Sequence, residues 1–331
     1  NPAALISTLE NSQMKKTLIA MAAVAVAGAA SAQVTLYGIL DYGYQTTTTE
    51  SDAGVQSAAT SGMSTGVQSG SRWGMKGSED LGGGLTASFQ PESSITGDTG
   101  ASTGFTRTSK VALDGGFGTF SMGVQYTPSF SLVGGTDVVG TDGTTTSQLY
   151  GAGVRSDSLF MYKTPSISGV TVTLATSGDN VETTAGSDTK TDITDVAVNY
   201  AAGAMTLGIA RASTQATTAG AVAAATKQTT MGATYDMGAA KLYINKMTQT
   251  TSAVDTGETN VGVKMPMGAA TLYAGWGRNT GTSKVSSSDY VVGADYTMSK
   301  RTNAYVRMNK RQEVDAGDIL NAFSVGLRHM F

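Results

Sequence analysis

The feature that most constrains the fold is an alternation of apolar and polar side chains in short segments along the chain. In the last segment Phe323, Val325 and Leu327 share one parity, whereas Ser324 and Arg328 share the other. A β-strand points successive side chains to opposite faces, so this period of two predicts a strand with one apolar and one polar face. Comparable segments of about nine to twelve residues recur through the sequence, which predicts an all-β fold.

The connections between these segments alternate between tight turns and longer stretches rich in Ser, Thr and Gly. Short turns on one side and long loops on the other are typical of an outer-membrane barrel, whose strands need about nine to eleven residues to cross the bilayer. We therefore expect a transmembrane antiparallel β-barrel of sixteen strands with short periplasmic turns and long extracellular loops. The predicted strands lie near 34–45, 67–79, 84–92, 104–114, 118–126, 155–163, 169–177, 191–200, 204–212, 227–236, 239–248, 258–265, 269–278, 288–297, 302–311 and 319–331.

The N-terminal region has the pattern of a secretory leader rather than of a strand. Lys15 and Lys16 precede an apolar run at 18–30, and the sequence ASA at 30–32 has the small residues that signal peptidase cuts after. The run is shorter than the roughly twenty residues of a membrane-spanning helix. The predicted regions are an upstream extension or mis-assigned start at 1–13, a signal peptide at 14–32 and a barrel at 33–331.

The composition excludes most enzyme chemistry. The chain has no cysteine and one histidine, so thiol nucleophiles and cysteine zinc sites are excluded, and a multi-histidine metal site or a Ser-His-Asp triad is hard to build. A net charge of −3 gives no electrostatic signature of nucleic-acid binding. We expect no catalytic residue, no cofactor, no bound metal and no nucleic-acid partner.

Four stretches together resemble the general porins of the Gram-negative outer membrane, of the kind typical of beta-proteobacteria. They read VTLYG at 34–38, SRWGMKGSEDLG at 71–82, GFGTF at 116–120 and GLRHMF at 326–331. Each stretch is modest by itself, but their order spans the predicted barrel. The resemblance implies a sixteen-stranded barrel, usually a homotrimer, whose third extracellular loop folds into the pore.

The resemblance also implies a function and a location. Such a barrel forms a water-filled channel in the cell outer membrane for passive diffusion of ions and small hydrophilic solutes. Its expected partners are outer-membrane lipid, lipopolysaccharide and the barrel-assembly machinery, which reads the final aromatic residue, here Phe331. Two alternatives stay open: a substrate-selective porin for phosphate, organic acids or sugars, and a secreted surface adhesin that acts through its loops.

A charge-selective pore needs basic residues on one wall of its constriction and carboxylates on the loop that faces them. Strand parity points Arg72 and Arg155 into the lumen. Arg107 stands where the family's fourth strand carries an inward arginine, although Lys110 occupies a position usually held by an aromatic residue. These three arginines are the predicted basic wall.

The acidic side is expected from the inserted loop, about 127–153, whose acids are Asp137 and Asp142. Relatives often carry a further arginine in a Gly-Arg-Gln-Tyr sequence of the fifth strand, where this chain has Val124. We therefore predict only a weak preference for anions. Parity predicts further lumen residues, of which the last three are expected nearer the periplasmic end: Asp41, Lys76, Lys241, Lys264 and Arg307.

Overall fold

The computed structural model describes residues 34–51, 53–140, 153–177, 181–184, 187–218, 221–252, 254–281, 286–313 and 318–331. Within these residues the strands form one antiparallel sheet, and a single short helix is present. The first strand pairs with the last, from Ile39 opposite Met330 to Glu50 opposite Ile319. This pairing closes the sheet into a barrel and confirms the predicted fold class.

The described residues build sixteen barrel strands, the number predicted. In chain order they are β1 (Thr35–Glu50), β2 (Thr60–Thr65 with Arg72–Gly82), β3 (Leu85–Ser94), β4 (Thr108–Gly115), β5 (Gly118–Tyr126), β6 (Arg155–Lys163), β7 (Val170–Ser177 with Val181–Thr184), β8 (Ser187–Ala202), β9 (Met205–Thr218), β10 (Ala221–Val222 with Thr226–Asp236), β11 (Lys241–Thr251), β12 (Val254–Met267), β13 (Ala270–Gly281), β14 (Ser287–Thr297), β15 (Thr302–Glu313) and β16 (Ile319–Met330). The two segments of β2, β7 and β10 are each counted as one strand because both pair with the same neighbouring strand.

Each strand has one face toward the lumen and one toward the lipid, as β8 illustrates. Ile193, Asp195 and Ala197 are at most 5% exposed, whereas Val196 and Val198 are each 38% exposed. A membrane barrel leaves its outward apolar side chains uncovered because lipid is their solvent. The alternation in the sequence therefore reflects two environments, the lipid outside and the lumen inside. The polar network lies on the lumen side.

The connections on the side of both chain termini are tight, for example at 116–117 and 203–204. On the other side the predicted strands at 239–248 and 258–265 end too early and begin too late, because β11 runs to Thr251 and β12 begins at Val254. Gln249 lies opposite Thr256, and Thr251 lies opposite Val254. Threonine favours strands, but beyond the bilayer both faces meet water, so the apolar alternation that marks a strand is missing.

One helix, α1 (Pro128–Thr136), lies inside the barrel. The Thr127 side chain accepts a hydrogen bond from the Phe130 N–H at 3.3 Å, and Pro128 occupies the first turn, where its missing N–H costs nothing. The helix packs on the inner side of β7 to β11, so the third long connection enters the lumen as predicted. Within the residues described here, no helix has both the length and the apolarity needed to cross a bilayer.

Candidate pore constriction

Residues 127–140, called here the α1 segment, lie against the inner wall where the wall lacks side chains. Each of three glycines on β9, β10 and β12 faces one side chain of the segment, and a Cβ on any of these glycines would collide with it. The facing pairs are Gly208 with Leu132, Gly232 with Thr136, and Gly262 with Val138. Glycine permits this close approach because it has no Cβ. The wall therefore provides a shallow seat shaped for this segment.

A carboxylate on β8 attaches the beginning of the helix to the wall. Asp195 is fully buried, and its two oxygens accept hydrogen bonds from the N–H and the hydroxyl of Ser129, each at 2.8 Å. The first N–H groups of a helix have no partners within it, and a negative charge is favoured there. At the other end, Asn245 Nδ2 donates to the Thr136 carbonyl at 3.2 Å. The helix α1 is thus bound at both ends.

The lumen contains a cavity on the side of β2 to β8. It has a volume of about 400 Å³ and lies between the wall and the α1 segment. Among its described lining residues, cations outnumber carboxylates, and amide side chains are frequent: Arg72, Lys110, Lys163, Glu92, Gln90, Gln125 and Asn199. A positive excess in a narrow aqueous passage favours anions. A second depression of about 480 Å³, beside Val198 and Leu207, lies on the lipid-facing side and is separate from the pore.

Arg107 is held in the wall by an ion pair. It is 9% exposed, and its Nε donates to Glu92 Oε1 at 2.9 Å. The same carboxylate accepts a hydrogen bond from the Tyr37 hydroxyl at 3.0 Å. Because Glu92 neutralises the guanidinium at short range, the contribution of Arg107 to the field in the passage is reduced. Its role in selectivity stays a prediction.

A bulge in β6 interrupts the alternation from which the direction of Arg155 was predicted. Ser158 has φ 48°, and the register of β6 against β5 shifts beside it. As a result Ser156, and not Arg155, lies opposite the buried Gln125. Parity counted along the whole strand gives Arg155 and Lys163 the same face, but a bulge breaks the alternation between them.

Tyr126 brings two of the predicted arginines together beside the helix. The Arg155 guanidinium lies 4.1 Å from the centroid of the Tyr126 ring and donates to its hydroxyl. Arg107 Nη2 donates to the same hydroxyl at 3.4 Å. The ring also stacks on Phe130 of α1, with centroids 5.0 Å apart. Arg155 therefore stabilises the entry of the α1 segment as well as adding positive charge.

The predicted acidic side of the constriction is not presented to the lumen by Asp137. Its side chain is 3% exposed, and Oδ1 accepts a hydrogen bond from the Val139 N–H at 2.9 Å. The Asp137 N–H donates to the Val133 carbonyl at 2.8 Å, which ends the helix. The carboxylate thus binds the backbone of its own segment, as Asp often does where a helix ends in a turn. Asp142 lies outside the described residues.

Three of the other predicted lumen residues are lysines that lie beside aromatic rings. Lys76 Nζ is 5.4 Å from the Tyr37 centroid, and Lys241 and Lys264 are 5.4 and 5.6 Å from the Tyr243 centroid. Such contacts retain a cation near a ring by the attraction of its π-face. Lys241 begins β11 and lies opposite Lys264, so both are near the short-turn end of the barrel.

Asp41 and Arg307 bind a second inserted segment, which the sequence did not predict. Residues 66–71 separate the two parts of β2. Asp41 is fully buried and accepts two backbone hydrogen bonds from this stretch, and Arg307 Nη1 donates to the Val67 carbonyl at 2.8 Å. The sequence predicted Arg307 near the periplasmic end of its strand, but it lies midway along β15. Its contact with the segment is therefore deep in the lumen.

Sequence reasoning missed two buried acids that bind residues of the constriction, Glu92 and Asp195. Both alternate with outward or neutral neighbours inside predicted strands, so parity alone would have placed them in the lumen. Their partners, Arg107 and Ser129, are 15 and 66 residues away in sequence. Parity can indicate an inward acid, but it does not reveal which distant group that acid binds.

A closed barrel of antiparallel strands, apolar outside and polar inside, with a helix that narrows its lumen, defines a porin of the outer membrane. The chain belongs to the Gram-negative porin family, which it matches over residues 18–315.

Individual relatives agree with this assignment. The chain is 34% identical to outer membrane porin protein 32 of Delftia acidovorans over 245 residues, which are 69% of this chain and 68% of that protein. It is 38% identical to an outer membrane porin protein of Bordetella pertussis over 177 residues, 47% of this chain and 46% of that one. Both names place these relatives in the outer membrane, which is the location of this chain.

Solved structures agree on the fold. The anion-selective porin from Comamonas acidovorans matches with a TM-score of 0.78 at 24% identity, over 91% of this chain and 100% of that one. The trimer form of OmpT from Vibrio cholerae matches with a TM-score of 0.65 at 16% identity, over 91% and 99% of the two chains. At these identities the likeness concerns the barrel architecture.

Proposed function

We propose that the protein is a general porin that lets ions and small hydrophilic solutes diffuse passively across the outer membrane, with a weak preference for anions. The observation that carries this proposal is the cavity of about 400 Å³ along β2 to β8, which is lined by Arg72, Lys110 and Lys163 and borders the α1 segment. A passive pore needs no catalytic group, and we expect no enzymatic activity.

The weakness of the preference follows from the partners of the cations. Glu92 pairs with Arg107 at 2.9 Å and compensates its charge at short range, whereas the contact of Arg155 with the Tyr126 ring and hydroxyl does not cancel the charge of Arg155. Arg72, Lys110 and Lys163 contribute the rest of the positive field. The anion-selective porin of Comamonas acidovorans, which has the same fold, is consistent with this direction.

We also propose that the chain is exported to the periplasm, assembled into the outer membrane and associated as a homotrimer. A signal peptide at 14–32 would deliver the chain to the periplasm. Phe331 at the chain end exchanges backbone hydrogen bonds with Gly38 of β1, both at 3.1 Å, so the residue proposed as the assembly signal also completes barrel closure. The trimer form of OmpT supports a trimeric assembly for a barrel of this architecture. Lipopolysaccharide is the expected outer-leaflet neighbour.

The test is conductance of the purified protein in planar bilayers. We expect stepwise openings whose size follows bulk salt conductivity, and a reversal potential in a salt gradient that indicates a small excess of anion current. Arg72→Gln should shift that potential toward zero, and the lipid-side variant Tyr235→Phe, at a residue 51% exposed, should leave it unchanged. Repeated insertions without conductance would contradict the proposed function.

A further inference from the structure

The interruption of β2 is too long to be an ordinary strand irregularity. Two residues of β1, Leu40 and Asp41, lie opposite the six residues 66–71, so four residues are extra to the ladder. A typical β-bulge adds one residue. Gly66 has φ 76°, a conformation open to glycine, and turns the chain out of the strand. The stretch 66–71 is therefore a built insertion, called here the 66–71 segment.

The side chains that bind this segment point into the barrel. Asp41 Oδ2 accepts hydrogen bonds from the N–H groups of Gln68 and Ser69, each at 2.6 Å, and Oδ1 accepts one from the Tyr305 hydroxyl at 2.7 Å. A buried carboxylate with three donors is well compensated for its lost hydration. Val67 is only 4% exposed within this arrangement. The segment is thus held in one position rather than left as a free loop.

The segment extends along the inner wall away from its own strand. Arg328 of β16 donates to Ser69 Oγ at 3.2 Å, and Asn303 of β15 donates to Gln68 Oε1 at 2.8 Å. From β2 the chain thus passes β1 and β16 to reach β15. With strands about 4.8 Å apart, it covers about 14 Å of the wall.

The 66–71 segment meets the α1 segment through one arginine. Arg307 binds the Val67 carbonyl with Nη1, and its Nε donates to the Tyr273 hydroxyl at 3.1 Å. Tyr273 in turn packs in a buried cluster with Val138 of the α1 segment and Val291 of β14. The two insertions leave the wall at β2 and β5. They are connected inside the barrel through Arg307 and Tyr273.

We propose that the 66–71 segment is a second wall of the pore constriction, resting on the proposed function as a diffusion channel. The α1 segment covers β7 to β14 and the 66–71 segment covers β15, β16 and β1, so solutes are confined to the cation-lined side of the barrel. The pore cross-section, and the closeness of solutes to Arg72, Lys110 and Lys163, depend on both insertions.

The first test removes residues 67–70, which leaves Gly66 and Ser71 to complete an unbroken ladder opposite β1. Because conductance increases with the open cross-section, we expect single-channel conductance to rise by about half or more and the anion preference to fall. Wild-type conductance is measured first, since its absence would contradict the proposed function and not the placement of this segment. Unchanged conductance in folded deletion protein would overturn the proposal.

The second test keeps the full chain and uses its lack of native cysteine. Gln68→Cys places a single thiol on the partly exposed segment, and Gln56→Cys places the same thiol on the exposed connection between β1 and β2. Complete modification with N-ethylmaleimide, verified by mass, should lower the current through the first variant by about a fifth or more and leave the second unchanged. An unaltered current through fully modified Gln68→Cys channels would also overturn the proposal.

Discussion

The α1 segment and the 66–71 segment narrow the same lumen but are attached by different forces. The α1 segment places Leu132, Thr136 and Val138 against glycines of the wall, with one carboxylate at its beginning. The 66–71 segment uses its backbone amides and carbonyl, bound by Asp41 and Arg307. One attachment depends on shape, whereas the other depends on directed, charge-assisted hydrogen bonds.

The difference predicts how each attachment responds to change. A seat shaped for a side chain tolerates no added volume, because overpacking forces either the segment or the wall to move. A hydrogen-bonded attachment loses stability one bond at a time, and the remaining donors still satisfy the carboxylate. The pore should therefore be most sensitive to added bulk beneath the α1 segment and least sensitive to loss of one hydroxyl beneath the 66–71 segment.

The largest effect is expected from Gly262→Val. A Cβ at this glycine would collide with the Cβ of Val138, which cannot rotate away as the end of a long side chain can. We expect a loss of about 3 kcal/mol in the free energy of unfolding and a lower single-channel conductance, because the α1 segment is pushed into the passage. The measurements are urea unfolding in lipid vesicles and bilayer recordings.

Gly257→Val is the matched control for this substitution. It adds the same side chain to the same strand, where a Cβ would find no heavy atom closer than 3.5 Å. Its stability and conductance should stay near those of wild type. Equal conductance in the two variants would show that the glycine seat does not position the α1 segment.

The barrel itself was predictable because its signal is local. Each strand shows its own alternation, as in Val196 and Val198 against Asp195 and Ala197, and no distant contact is needed to read it. The prediction failed where the environment stopped alternating, as at Gln249 opposite Thr256, since water on both faces leaves no apolar mark. Strand number and topology are therefore recoverable from sequence, but strand length beyond the membrane is not.

A smaller effect is expected from Asp195→Ala. The substitution leaves the buried N–H and hydroxyl of Ser129 without their acceptor, and loss of a hydrogen-bond partner to a charged group costs about 2 kcal/mol. Asp192→Ala is the control on the same strand, because its ion pair with Lys190 at 3.3 Å is exposed and worth little. The folded barrel and the unfolded chain migrate differently on a gel. The midpoint temperature at which the folded band is lost is measured for both variants. Equal midpoints for the two variants would contradict the anchoring role of Asp195.

The constriction was harder to predict than the barrel because its geometry depends on irregular backbone. Parity predicted Arg72, which lines the cavity, but the bulge at Ser158 interrupts the alternation before Arg155, so parity could not indicate the contact of Arg155 with Tyr126. Parity also predicted that Asp41 points inward. The four extra residues of the segment that binds Asp41, however, appear in the sequence only as a polar stretch that contains glycine. Insertions of this kind lack the periodicity on which the prediction depends.

The smallest effect is expected from Tyr305→Phe, which tests the hydrogen-bonded side of the comparison. The change removes the 2.7 Å donation to Asp41 Oδ1 but keeps the ring and both backbone donors to Oδ2. Because those donors remain, we expect a loss of about 1 kcal/mol in unfolding free energy and a conductance close to wild type. Tyr296→Phe, at a residue 57% exposed on the outer face, is the matched control. An unfolding free-energy loss from Tyr305→Phe as large as that from Gly262→Val would contradict the proposed difference between the two attachments. Removing one hydroxyl would then displace the 66–71 segment as fully as added volume displaces the α1 segment.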